Sequence, residues 1–191
     1  MRKGFVVWLT GLPGSGKTTI ARQLEPELRR IGWPVEVLDG DEIRQNLSKG
    51  LGFSREDRET HLKRVTYVAK LLSRNGVAVI ASFISPYRNI REHARKETTN
   101  FVEVYVKCSV EACAKRDPKG LYKKASVGEI KDLTGPQDLY EEPTRPELTI
   151  DTEKLTVRES VESVLTTLEQ LGITRPQNIR LHVQGQGGAD A

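Results

Sequence analysis

Phe5-Val-Val-Trp-Leu9-Thr10-Gly11-Leu-Pro-Gly-Ser-Gly16-Lys17-Thr18-Thr19 decides the fold. Phe5 to Leu9 is apolar, β-branched and aromatic, with a turn signal behind it, so it predicts a buried strand. Gly11 to Thr18 fits G-x-x-x-x-G-K-[ST] where that motif has physical sense, between a strand and a helix start. Its glycines let consecutive backbone N–H groups point at phosphate oxygens, and the helix N-terminus adds its positive dipole end. The loop Gly11, Leu12, Pro13, Gly14, Ser15, Gly16 is therefore expected to cradle ATP, continuing into Thr19. Lys17, expected to face solvent, reaches the β- and γ-phosphates, and the Thr18 hydroxyl holds Mg²⁺.

Outward from this stretch, strands alternate with helices. Ile20, Leu24, Leu28 and Ile31 have helical spacing, with Gly32 as the C′ residue and Pro26 expected to kink or break the helix near Leu24. Val35 to Leu38 is a second strand ending at Asp39-Gly40-Asp41. Ser54 and Asp57 form a capping signature for a helix with Leu62, Val65, Val68, Ala69 and Leu72 on one face, stopped by Asn75-Gly76. Val77 to Ala81, Phe101 to Val106 and Leu148 to Ile150 complete five strands. Thr156 and Glu159 cap a last helix carrying Val157, Val161, Val164, Leu168 and Leu171.

Strands that are nearly all apolar imply a mainly parallel sheet flanked by helices on both faces, a doubly wound α/β domain. Asp117 to Glu147 breaks the pattern: it is polar, basic then acidic, and rich in glycine and proline. A long insert with little core reads as a lid over residues 117–147. One domain is expected over 1–172, with a flexible tail over 173–191.

Length and composition bound the rest. The chain of 191 residues is one domain's worth, and 29% charged against 37% hydrophobic residues argues against long disorder. No apolar run approaches the ~18 residues of a membrane span, so no membrane partner is expected. Phe5 to Leu9 is too short for the core of a signal peptide, so the N-terminus reads as mature. Cys108 and Cys113 offer no disulfide framework and no zinc spacing, which suits a cytoplasmic protein. The net charge of +4 is concentrated between Lys115 and Lys124. With only Tyr122 aromatic in that run, the stacking platform of a single-strand binder is thin, and nucleic acid is not an expected partner.

The motif names a nucleotide, not an activity. Asn-Lys occurs nowhere in the chain, so the Asn-Lys-x-Asp guanine signature of GTPases is missing. A short chain with a basic insert after its fourth strand fits a small-molecule kinase: a nucleotide core, an acceptor pocket and a mobile cover.

Several segments are similar to the adenylylsulfate kinase family. They are Asp39-Gly40-Asp41, Gly52-Phe53-Ser54 with Asp57-Arg58, and Ser82-Phe83-Ile84-Ser85-Pro86-Tyr87-Arg88. Lys119-Gly120-Leu121-Tyr122-Lys123-Lys124-Ala125, Gly128 to Lys131, Thr134-Gly135, Tyr140-Glu141 and Pro146-Glu147-Leu148 continue the match from about Gly4 to Leu171. The resemblance implies a P-loop kinase fold. It also implies transfer of phosphate from MgATP to the ribose 3′-hydroxyl of adenosine 5′-phosphosulfate (APS), giving 3′-phosphoadenosine 5′-phosphosulfate (PAPS) and ADP, in a homodimer.

Site residues follow from the resemblance in the same way. Lys17, Asp41 and Ser85 are the implied catalytic set, with Asp41 orienting the acceptor hydroxyl and taking its proton late. Ser85 has been described in the family as a phosphoserine intermediate, although Ser85-Pro86 also reads as a helix N-cap followed by Pro at the first helical position. Asp41 also reads as a cap for a helix starting at Glu42. Arg44 and Arg58 become the clamp on the phosphosulfate. Phe53 packs on the acceptor adenine, Ile84 is pocket wall, and Lys119 and Leu121 touch substrate from the cover. Arg116 packs on the ATP adenine.

Two positions depart from the family's pattern. His61 stands where the family has a substrate-contacting asparagine, and an unperturbed histidine titrates near ~6.5. Leu133, which with Thr134 is implied to touch substrate, replaces an aromatic before Thr134, removing one face of the sandwich expected around the acceptor adenine.

Overall fold

The structure is a computed structural model that describes residues 3–175. The order of elements is β1 (Phe5–Thr10), α1 (Lys17–Arg30), β2 (Val35–Asp39), α2 (Gly40–Leu47), α3 (Arg55–Arg74), β3 (Ala78–Ser82) and α4 (Arg88–Glu97). β4 (Phe101–Lys107), α5 (Val110–Arg116), α6 (Leu121–Ser126), β5 (Leu148–Asp151) and α7 (Val157–Gln170) complete it. The sheet order is β2-β3-β1-β4-β5, and every pair is parallel. The expected doubly wound, five-stranded α/β sheet is the one found.

Alternation along β1 builds the two layers. Phe5, Val7 and Leu9 face a cluster with Ile20, Leu24 and Leu28 of α1 and Val161, Val164 and Leu168 of α7. Val6 and Trp8 face the other layer, with Leu62, Val65 and Ala69 of α3 and Ile90 and Ala94 of α4. β1 is buried along its whole length. It lies centrally, so the loop after it emerges at the C-terminal edge, where the chain crosses from one side of the sheet to the other and ligands bind.

Several expectations are corrected. α1 runs unbroken through Pro26. Pro26 is on the exposed side, where water can serve the Arg22 carbonyl that loses its partner, while buried Leu24 and Leu28 hold both halves against the sheet. β3 is displaced by one residue, because Val77 N–H turns back to the Leu72 carbonyl at the end of α3. The insert shares a small core with the chain beneath it: its Tyr122, Ala125 and Leu133 pack with Leu12, Cys108 and Cys113. Ile173 packs on the main core and Thr174 is buried, so ordered chain extends beyond 172. The expectation for the tail over 176–191 lies outside the described residues.

Candidate active site

A cavity of about 680 Å³ opens along the C-terminal edge of β1, β2 and β3. Its two ends are built from different parts of the chain.

At the first end stands the loop between β1 and α1. Gly11 has φ +154°, and a Cβ there would lie 2.4 Å from the Val106 carbonyl, so only glycine lets the loop cross β4. Gly16 caps α1 with φ +103° and offers no side-chain partner, and the first turn of α1 holds no acidic residue. Its N–H groups are thus left to serve an anion. Lys17 is buried rather than solvent-facing. Its ammonium donates to the Gly11 and Leu12 carbonyls at 2.9 and 2.7 Å, and burial lowers its pKa to about 8. Tyr122 of the insert donates to the Pro13 carbonyl at 2.9 Å and fixes the loop's outer wall.

Thr18 donates to Asp39 Oδ2 at 3.0 Å, while Asp39 Oδ1 accepts from the Asp41 N–H and caps α2. The cap of α2 is therefore Asp39, and Asp41 lies inside the first turn, exposed. Ser82 stands opposite Asp39 in the β2–β3 register, and its buried Oγ has no partner among the described residues. Hydroxyl and carboxylate oxygens at the foot of a phosphate cradle are the donor set that Mg²⁺ takes. Arg116 lines the cavity mouth and donates to the Thr152 hydroxyl and carbonyl at 3.0 and 2.7 Å. Thr152 in turn donates to the Ser15 carbonyl at 3.0 Å.

The second end is made of side chains from α2, α3, the turn after β3 and the insert. Asp41 forms an ion pair with Lys119 across the mouth. Arg44 stacks over Phe53 at 4.3 Å, and Phe53 is 63% exposed, a large apolar ring facing the opening. Arg58 is buried and spends its guanidinium on the chain: Nε to the Phe53 carbonyl at 2.7 Å, Nη1 to Thr134 Oγ1 at 2.6 Å and Nη2 to the Asp132 carbonyl at 2.7 Å. His61 lines the same wall with Phe83, which meets it edge-on at 5.7 Å. Burial and the charges of Arg44 and Arg64 lower the His61 pKa to about 4, so the expected titration near neutrality does not occur.

Ser85 is no helix cap. α4 starts at Arg88 with Tyr87 as N-cap, and Glu141 of the insert accepts from the Arg88 N–H at 2.8 Å instead. Ser85 sits in the left-handed region at φ +41°, 2% exposed. Its Oγ accepts from Trp8 Nε1 at 3.0 Å and donates to Thr10 Oγ1 at 2.9 Å. Thr10 gives its own proton to the Ile84 carbonyl at 2.8 Å, so the Tyr140 hydroxyl must donate into Thr10 as well, at 2.9 Å. Buried Arg91 holds the Ser85 and Glu141 carbonyls and pairs with Glu103 at 2.8 Å.

Of the residues expected from sequence, the cavity wall gathers Lys17, Thr18, Asp41, Arg44, Phe53, Arg58, His61, Ile84, Ser85, Arg116, Lys119 and Leu121. Leu133 and Thr134 are absent from it: Leu133 fills the core of the insert, and Thr134 holds Arg58 from behind. Thr10, Ser82, Arg91 and Tyr140 were missed. Ser82 and Tyr140 stand in segments of the family resemblance without a role assigned; for Thr10 and Arg91 the signals were an apolar strand ending in threonine and an arginine on a helix facing a glutamate on a strand.

Comparison with known proteins identifies the family. The model of the adenylylsulphate kinases matches residues 3–151. The chain belongs to the adenylylsulphate kinase family. It is 54% identical over 171 residues to the adenylyl-sulfate kinase of Rippkaea orientalis, covering 90% of this chain and 94% of that protein. It is 51% identical over 186 residues to the probable bifunctional SAT/APS kinase 2 of Sorangium cellulosum, and spans 97% of itself but 32% of that longer protein. Among solved structures, the Mycobacterium tuberculosis APS kinase CysC in complex with AMPPNP and APS superposes with a TM-score of 0.85 at 39% identity, over 88% of this chain and 99% of that one.

Proposed function

We propose that this chain, an adenylyl-sulfate kinase, transfers the γ-phosphate of MgATP to the 3′-hydroxyl of APS, releasing PAPS and ADP. One observation carries the reading. A phosphate-binding loop and a second, guanidinium- and aromatic-lined pocket share one cavity. The M. tuberculosis relative, solved with AMPPNP and APS, has the same fold.

Thr18 and Asp39 would hold Mg²⁺, which supplies charge neutralisation on the phosphates when bound. The glycine loop and the start of α1 bind the phosphates, and Lys17 swings from its carbonyl partners onto them. Arg44, whose guanidinium reaches the Gly52 carbonyl and covers Phe53, orients the acceptor's anionic group. Asp41 leaves Lys119 and accepts the hydroxyl proton as the O3′–P bond forms and the bond to the β-phosphate oxygen breaks. A loose transition state needs little early deprotonation, so a carboxylate suffices. Ser85 stays out of the covalent chemistry: its Oγ is enclosed by Trp8 and Thr10, and direct in-line transfer needs no phosphoserine. Its bonds hold the turn that carries Ile84.

The same reading places the chain in the cytoplasm, which its two free, buried cysteines support. Among the described residues no helix is long and apolar enough to cross a membrane. The resemblance carries a homodimer with it, and light scattering at the mass of a monomer or hexamer would overturn that part. The reading as a whole is tested by ADP release with APS, AMP, adenosine and shikimate offered in parallel. APS turned over at the highest kcat/KM is expected; preference for another acceptor overturns it.

A further inference from the structure

The acceptor wall contains a pair that the reaction above does not use. Ser48 follows α2 and is 1% exposed; His61, on α3, is 5% exposed. Ser48 Oγ and His61 Nδ1 lie 2.8 Å apart. A serine hydroxyl carries one proton and a neutral imidazole one N–H, so two assignments exist. If Nδ1 held the proton, Ser48 would accept it, and the serine's own proton would need another acceptor. Among the described residues Ser48 Oγ has none. A buried hydroxyl with an unplaced proton is costly, so Ser48 donates and Nδ1 accepts.

The ring proton is then on Nε2. That atom has no partner among the described residues, yet it is not among the buried polar atoms left unsatisfied. It therefore opens onto the cavity that His61 lines.

We infer that Ser48 is a positioning residue that fixes the tautomer of His61, so that a neutral Nε2–H donor at the acceptor end selects substrates presenting a hydrogen-bond acceptor atom there. This rests on the kinase reading above. The charged groups facing the ring are the cations Arg44 of α2 and Arg64 of α3, and Phe83 closes the side toward β3. Burial first, and then both cations, keep the imidazole uncharged. Arg44 thus supplies charge, and His61 supplies direction. A directional donor discriminates sharply, because a substrate lacking the matching atom leaves the donor unpaired.

Nitrogen-15 NMR of the imidazoles in the whole chain tests the first half without any substrate. The Nε2–H tautomer is expected for wild type at pH 7, a mixture for Ser48→Ala, and the wild-type signature again for Ser48→Thr. A dominant Nδ1–H form in wild type, or identical tautomer populations in wild type and Ser48→Ala, overturns the proposal.

Kinetics test the second half. Ser48→Ala and His61→Phe should raise KM for APS roughly three- to tenfold, the worth of one hydrogen bond, with kcat and KM for ATP unchanged. His61→Asn, which keeps an N–H donor, should stay within about threefold. An unaltered KM in His61→Phe overturns the selective role. A rise in KM for ATP as large as that for APS marks Ser48 as merely structural and also overturns it. If wild type ignores APS, the kinase reading fails on its own terms. The tautomer measurement still decides the pair, and the variants are then read on whichever acceptor of the panel is phosphorylated.

Discussion

The two ends of the cavity differ in how they are made. The donor end centres on one contiguous run, Gly11 to Thr19, whose donors are mostly backbone, with Asp39, Arg116 and Thr152 bracing it from outside. Its shape is enforced by what cannot change: a Cβ at Gly11 would collide with β4. The acceptor end takes side chains from α2, α3, the turn after β3 and the insert, and Lys119 lies 78 residues from its partner Asp41. A loop of backbone donors binds any polyphosphate in much the same way. An assembly of side chains is where specificity is set.

Substitutions that strike one end and spare the other sharpen that contrast. The largest effect is expected from Lys17→Ala, which removes the ammonium from the developing charge and should lower kcat on the order of 10³-fold. It also deprives two loop carbonyls of their donor, so the thermal midpoint should fall by a few degrees, about 1 kcal/mol. Turnover within about tenfold of wild type would break the assignment of the donor end.

Asp41→Asn comes next, with kcat lower on the order of 10²-fold and ATP affinity nearly unchanged by calorimetry. Its stability should barely change, because the pair with Lys119 is exposed on both sides. Loss of ATP binding would move Asp41 to the donor end and erase the boundary between the two.

The donor end should also show itself in pH. Burial holds the Lys17 pKa near 8 in the free protein. Bound phosphates favour the charged ammonium, so binding ATP must raise that pKa. Affinity is then full below about pH 8 and should fall above it, by at most about tenfold per pH unit, with proton uptake on binding. Calorimetry in two buffers of different ionisation heat measures the uptake. No uptake at pH 8.5 would mean that Lys17 does not meet the phosphates.

Ser85→Ala should lower kcat by less than about tenfold while costing stability, because Trp8 Nε1 is left buried without its acceptor, about 1–3 kcal/mol. An inactive but fully stable Ser85→Ala would restore a covalent role.

How much of this was legible follows the same division. The fold was legible because β1 is apolar along its whole length, as a strand covered on both faces must be, and its motif is contiguous. Helix caps at Ser54 and Thr156 were local and were read correctly. The alternative readings of Ser85 and Asp41 as caps fail because their partners lie across the chain: Trp8 donates to Ser85 from 77 residues away, and Asp41 pairs with Lys119 while Asp39 caps α2. Glu141 caps α4 from 53 residues away. Composition made the insert look coreless, although Cys108, Cys113 and Leu12 from outside it complete its small core. Arg58 was legible as important, but nothing local says that its hydrogen bonds go to Phe53, Asp132 and Thr134.

The smallest effect on catalysis is expected at His61, and it separates a buried donor from a titrating one. A histidine near ~6.5 would change its charge between about pH 5.5 and 7.5 and move KM for APS with it. With the ring held near 4, both ends of that window find it neutral, so the His61 share of the KM profile should be flat in wild type and in His61→Asn alike. The contribution appears in stability instead. The folded pKa lies below the unfolded one, so the stabilisation is complete above about pH 6.5. It is lost as pH falls toward 4, because the unfolded chain binds the proton first. The loss amounts to at most about 3 kcal/mol, taking 1.36 kcal/mol per pH unit. His61→Asn has no proton to bind, so its acid limb of stability should be shallower over that range, read by urea unfolding at successive pH values. Equal slopes for the two proteins would mean that the ring is not shielded as its contacts with Ser48 and Phe83 require, and a KM that shifts near pH 6.5 would say the same from the side of the substrate.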